Sequence, residues 1–168
     1  MSKSKRIFIV GHSGAGKGVF AQAIAKKLGW KYVDADFSLA PSIGRPLKEI
    51  LGEQGEKAFH KTQTDILSNL ANQDNIVVTT DDSIVCDSNN RDLLSAEFTV
   101  YLQVSPKVQL ERISHNRPLA KVNDYSAFLN TLRTERDAFY EQVARFSLSS
   151  DDGDIDGHVN SVVKAFES

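Results

Sequence analysis

The chain contains one cysteine, Cys86, so no disulfide can form within it. Because it follows a strand-like run, that thiol reads as a small packed residue, and a reducing, cytoplasmic setting is expected. No apolar run approaches the roughly 20 residues needed to span a bilayer. The apolar part of the opening MSKSKRIFIV is too short for a secretory signal, so no membrane partner is expected. Neither charge is in excess: 20 Lys and Arg face 22 Asp and Glu, for a formal net charge of -2. A phosphate backbone calls for a basic surplus, so nucleic acid is not an expected partner. Internal repeats and low-complexity tracts are missing as well.

What is present suits one domain. With 168 residues, 40% of them hydrophobic, the chain can bury a sizeable core, and residues 1–168 read as a single domain acting as a monomer. Strand-like runs fall at 6–10, 31–33, 76–80 and 98–104, with a weaker one at 145–149. Between them, Phe20, Ile24 and Leu28 recur at helical spacing within 17–28, and Phe59, Ile66, Leu67 and Leu70 mark another helix. Further helical stretches cover 106–114 and 125–143, and Val159, Val162, Val163 and Phe166 mark a closing helix. The gap at 115–124 holds a proline and no apolar period, which predicts a mobile lid at about 113–124, with Asp124 capping the next helix. Strands alternating with helices predict an α/β fold of three layers around a five-stranded parallel sheet.

The strongest motif is Gly11-His12-Ser13-Gly14-Ala15-Gly16-Lys17, which fits GxxxxGK between an apolar strand and a helix. In such a loop the backbone curls so that N–H groups converge on phosphate oxygens, and the helix N-terminus adds its positive end. The expected nucleotide contacts are Gly11, Ser13, Gly14, Ala15, Gly16, Lys17, Gly18 and Val19. The alternative, an accidental glycine-rich turn, lacks a reason for the flanking strand and helix. The position after the lysine usually carries a Ser or Thr hydroxyl for magnesium, but here it is Gly18. Adenylate kinases resemble this stretch locally, with glycine after the lysine and then threonine, where this chain has Val19.

Four further stretches follow in order: YVDAD, which places Asp34 and Asp36 after the second strand, then GRPLKEILGEQGEKAFH, ERISHNRPL and RTERDAFYEQVA. Together with the loop they resemble the shikimate kinase family along nearly the whole chain, although only the loop is specific by itself. The resemblance implies a P-loop kinase that uses ATP and magnesium and phosphorylates a small hydroxylated molecule. It implies that Lys17 reaches the terminal phosphates, that Asp34 holds magnesium through water and that Asp36 accepts or orients the attacking hydroxyl. Arg117 in the lid would neutralise the transferring phosphate, Arg112 would pack against adenine and Arg136 would hold an acceptor oxygen or carboxylate. Lys17, Asp36 and Arg117 are thus the expected catalytic residues. Taken singly, Asp36 reads as a helix cap, Arg112 as a solvated helix residue and Arg136 as a partner of Glu135 or Glu141.

Departures from the family pattern cluster on the acceptor side. A carboxylate-binding arginine expected after Phe59 is His60, and three expected glycines are Asp81, Asp82 and Ser83. Each added like charge at about 7 Å would cost a bound carboxylate roughly 2 kcal/mol at an effective dielectric near 20. The expected acceptor contacts are Asp36, His60, Asp82 and Arg136, and the expected metal-side residues are Asp34 and Asp81. Alternatively, Asp81 and Asp82 begin an acidic surface loop running to Asp87. Three functions fit: a kinase of shikimate or a related polyol, a weakly active nucleotide-binding protein with a regulatory role, and a nucleoside monophosphate kinase.

Overall fold

In the computed structural model, which describes residues 5–36, 47–116 and 122–168, strands and helices alternate along the chain. The order is β1 (Arg6–Val10), α1 (Lys17–Leu28), β2 (Lys31–Asp34), α2 (Leu47–Leu70), β3 (Ile76–Thr79), α3 (Ser88–Ser95), β4 (Phe98–Gln103), α4 (Pro106–Asn116), α5 (Val122–Val143), β5 (Phe146–Ser149) and α6 (Ile155–Glu167). The five strands form one parallel sheet in the order β2-β3-β1-β4-β5. Among the described residues, no helix is long and apolar enough to cross a membrane.

The sheet is covered on both faces because the central strand has no polar face. Ile7 and Ile9 point one way, into a core with Phe20, Ala21 and Ile24 of α1 and Val159, Val162 and Val163 of α6. Phe8 and Val10 point the other way, against Leu67 and Leu70 of α2, Leu94 of α3 and Tyr140 and Val143 of α5. Each of these β1 side chains is at most 1% exposed, and burial of that kind contributes roughly 1.5–3 kcal/mol per residue. With β3 and β4 flanking β1, the chain leaves the centre of the sheet in opposite directions. That arrangement opens a crevice at the carboxyl ends of the strands, where ligands of open parallel sheets bind.

The sequence-based boundaries hold for α1, whose end is set by Gly29 in the left-handed conformation, and the strands agree to within a residue or so. Three expectations change. α5 starts at Val122, so Asp124 lies in the first turn of the helix rather than capping it. The stretch read as an acidic surface loop contains a single 3-10 turn at Ile84–Cys86 and leads into α3, whose cap is Asp87 accepting from the Asn89 and Asn90 amides. Helix α2 also begins well before the apolar stripe at its end and is broken at Gly52, whose φ is 75°. Of the predicted lid, 113–116 belong to α4 and 122–124 to α5, while 117–121, including Arg117, lie outside the described residues.

The handover from β1 to the loop is a place of close backbone approach. Gly11 has φ 152°, and a Cβ placed on it comes 2.4 Å from the Leu102 carbonyl oxygen of β4. Gly11→Ala should therefore cost about 2 kcal/mol or more, whereas Gly153→Ala, at φ 72° with nothing within 4 Å, should cost about 1 kcal/mol. Urea unfolding of the two variants checks this, and equal losses would contradict it.

Candidate active site

The phosphate loop links β1 to α1, and its residues leave the first turn of α1 open. Gly16 is the N-cap of α1, with φ 88° and no side chain to cap the helix, and no acidic residue stands in the first turn. The leading N–H groups of α1 and its positive end are thus presented to an anion. Turning the N–H groups outward turns the carbonyls inward, and each of those meets a donor. Lys17 Nζ donates to the Gly11 carbonyl at 2.8 Å and to that of His12 at 3.2 Å. Gln109 Nε2 on α4 donates to the Ser13 carbonyl at 2.9 Å, and Arg112 donates to those of Gly14 and Ala15 at 3.0 and 3.3 Å.

Arg112 also ties the loop to the far side of the crevice through the Ser150 carbonyl at 2.7 Å and the Ser150 hydroxyl at 3.0 Å. Beside it lies a cavity of about 210 Å³, mostly apolar, bordered by Val19, Phe20, Ile155 and His158. Arg112 is therefore not a solvated helix residue. Burial draws the Lys17 ammonium below the usual lysine range, while Asp82, Asp36 and Asp81 pull it back up.

Two side chains of the loop are fixed by helix α5 and by the end of β3. The His12 ring is buried with Nε2 2.5 Å from Asp137 Oδ1 and its edge against Tyr140. Burial lowers the pKa of His12 against the opposing pull of Asp137. Ser13 Oγ donates to Asp82 at 3.1 Å, and the same Asp82 oxygen lies 3.2 Å from Arg136 Nη1. Arg136 thus pairs with Asp82, not with Glu135 or Glu141. Burial, the largest single influence, works against its charge, but Asp82, Cys86, Tyr140 and Asp81 together raise its pKa above the ordinary arginine range. Its Nε is buried with no hydrogen-bond partner among the described residues.

Asp81 points away from the loop. It is 1% exposed; Gln63 Nε2 donates to its Oδ1 at 2.6 Å, and the Ser83 amide and hydroxyl donate to its Oδ2. Gln63 is held in turn by His60 Nδ1 at 2.7 Å and by Asn90 Nδ2 at 3.1 Å, and Asn90 Oδ1 accepts from Thr64 at 2.6 Å. His60 and Asp81 therefore belong to one buried polar network between α2 and the turn after β3, and neither Asp81 nor Asp82 begins a surface loop. At the end of β2, Asp34 is exposed; its Oδ1 accepts from the Asp36 amide at 2.9 Å and lies 3.5 Å from Thr79 Oγ1. Asp36 is exposed beside it. Among the described residues no three His, Cys, Asp or Glu side chains converge on a metal position.

Sequence reasoning missed Gln63, Gln109, Arg133 and Asp137. Arg133 on α5 donates to Gln109 Oε1 and to the Val104 carbonyl, and so holds the side chain that holds Ser13. Gln109 stands three residues before Arg112, on the same face of α4, a spacing that offers a signal for a helix facing polar backbone.

A phosphate loop at the switch point of a five-stranded parallel sheet, with cations from α4 and α5 around it, defines an ATP-dependent kinase of small molecules. A family model of shikimate kinase matches residues 13–167. A shikimate kinase of Legionella pneumophila (strain Corby) is 32% identical over 165 residues, covering 96% of this chain and 94% of that one. Another, from Halorhodospira halophila (strain DSM 244 / SL1), is 34% identical over 165 residues, with 96% and 93% covered. The solved shikimate kinase from Acinetobacter baumannii in complex with shikimate superposes with a TM-score of 0.78 at 27% identity, covering 96% of this chain and 92% of that one. The chain belongs to the shikimate kinase family.

Burial, reinforced by the Asp82 carboxylate, raises the pKa of Asp81 above the ordinary carboxylate range. A raised value favours the folded state below the unfolded pKa of about 3.9, and that contribution is lost as pH rises through the folded value. Asp81→Asn should therefore gain stability relative to the unchanged protein as pH climbs from about 4 to 8. Urea midpoints measured across that range test the sign, and a difference that moves the other way would contradict it.

Proposed function

We propose that this kinase transfers the γ-phosphate of ATP to a hydroxyl of a polyol that carries no carboxylate, or that carries an amine. The observation behind this reading is the Arg136–Asp82 ion pair. A bound carboxylate would have to displace the chain's own Asp82 from the guanidinium and then sit beside it. His60, where the family pattern has arginine, is engaged with Gln63.

In this reading the α1 N-terminus and the loop amides hold the phosphates, and Lys17 leaves the Gly11 and His12 carbonyls to reach the terminal ones. The apolar cavity beside Arg112 takes the adenine, with the guanidinium against the ring. Asp36 orients the acceptor hydroxyl and takes its proton as the oxygen bonds to the γ-phosphorus. The bond from that phosphorus to the β–γ bridging oxygen breaks, and ADP leaves. Arg117 is assigned to the charge on the transferring group. Among the described residues, Asp34 and the neighbouring Thr79 hydroxyl offer oxygen, which suits hydrated magnesium rather than a metal that prefers nitrogen or sulfur. When bound, that ion neutralises phosphate charge, and Asp34 holds it through water. A second reading, a nucleotide-binding protein with little turnover, is favoured by the missing hydroxyl at Gly18.

Lys17→Ala should weaken ATP binding roughly 10- to 100-fold by calorimetry, and an unchanged protein that binds no ATP at millimolar concentration would refute the kinase reading. For the acceptor, ADP release is measured with shikimate and with panels of neutral polyols, aminopolyols and nucleoside monophosphates. Shikimate should be turned over well below the usual kinase range of about 1–100 per second, and Asp82→Asn should raise its apparent affinity by roughly tenfold or more. Ordinary turnover of shikimate by the unchanged protein would refute this choice of acceptor. Binding of ATP without turnover of any acceptor would support the second reading.

A further inference from the structure

Gly18 lies in the first turn of α1 and brings no hydroxyl to the place where phosphate loops usually carry one. The space it leaves is not without a polar group. A Cβ built on Gly18 has one heavy atom of the described residues within 4 Å outside its own helix and chain neighbours, the phenol oxygen of Tyr32, at 3.6 Å. That oxygen borders the volume a serine or threonine side chain at position 18 would fill.

Tyr32 is held there from both ends. Its ring packs half-buried on the core beneath α1, with Ile7, Ile9, Ile24 and Val77 in the same cluster. Its hydroxyl lies 3.0 Å from Thr79 Oγ1, and Thr79 Oγ1 lies 3.5 Å from Asp34 Oδ1. Tyr32 and Asp34 are two residues apart on β2 and so share one face of the sheet, and the register sets Asp34 opposite Thr79. A phenol, a buried hydroxyl and an exposed carboxylate thus form a row beneath the first turn of α1, ending at the carboxyl edge of the sheet. A phenylalanine would fill the same apolar space, so packing accounts for the ring, and the hydroxyl adds the link to Thr79 and through it to Asp34.

We propose that the Tyr32 hydroxyl replaces the missing loop hydroxyl: it is a positioning residue that, with Asp34, orders the water shell of the divalent cation accompanying the nucleotide. Magnesium keeps several of its waters in such sites, so a group one shell out can serve where a direct ligand is absent. The proposal rests on the nucleotide reading above and goes beyond it by assigning the cation side of the site.

The test measures ADP affinity by calorimetry, once with EDTA and once with Mg2+, for the unchanged protein, Tyr32→Phe, Gly18→Ser and the double variant. Tyr32→Phe should leave the metal-free affinity within about twofold and reduce the gain from Mg2+ by about tenfold. Gly18→Ser should restore that gain in the Tyr32→Phe background and add little on its own, because the place is already served. The inference is overturned if Tyr32→Phe leaves the Mg2+ gain unchanged, or lowers affinity equally with and without metal as a packing role would. A large gain from Gly18→Ser alone would overturn it as well, and that arm remains decisive if Tyr32→Phe does not fold. An unchanged protein that binds no ADP in either condition removes the nucleotide reading and this inference together, whereas metal-free binding without any Tyr32 effect removes this inference alone.

Discussion

A loop that offers its amides to an anion must turn its carbonyls inward, and an inward carbonyl without a donor costs about 1–3 kcal/mol. Much of the site answers to that constraint. Lys17, Gln109 and Arg112 supply donors to five consecutive loop carbonyls, Gly11 to Ala15. Arg133 then fixes Gln109, and Asp137 fixes the ring of His12. Buried polar residues on α4 and α5 are there because the loop's own side chains, His12 and Ser13, are engaged with Asp137 and Asp82 instead.

The cluster around Arg136 and Asp81 follows the opposite logic. There the groups satisfy one another: Arg136 with Asp82, Asp81 with Gln63 and Ser83, and His60 with Gln63. Taking such groups out of water is costly, and their mutual contacts recover the cost only when nearly all are paired. A ligand entering this region competes with an assembled network rather than with water. That raises the threshold for any ligand that needs the same cation.

Much of the fold was legible in the sequence because β1 and the loop carry strong local signals. Phe8 and Val10 alternate with Ile7 and Ile9 without a polar residue, which only a strand buried on both faces explains, and the glycines of the loop stand at fixed spacing. Helix α3 was not legible: in SNNRDLLS only Asn90 and Leu94 are buried, too few to set a period. The site was legible by residue type rather than by partner. Asp82 and Arg136 were both named from the sequence, yet their pairing depends on how β3 and α5 meet. The turn of Asp81 away from the loop follows from Gln63, a residue with no motif to mark it.

The bridge from Arg112 to Gly14, Ala15 and Ser150 has a consequence for the course of binding. It ties the phosphate loop to the chain segment after β5 by hydrogen bonds, so the two sides of the crevice are joined there before any nucleotide arrives. A visiting nucleotide then meets walls whose relative position has already been fixed during folding. Little of its binding free energy is diverted into ordering the protein on that side.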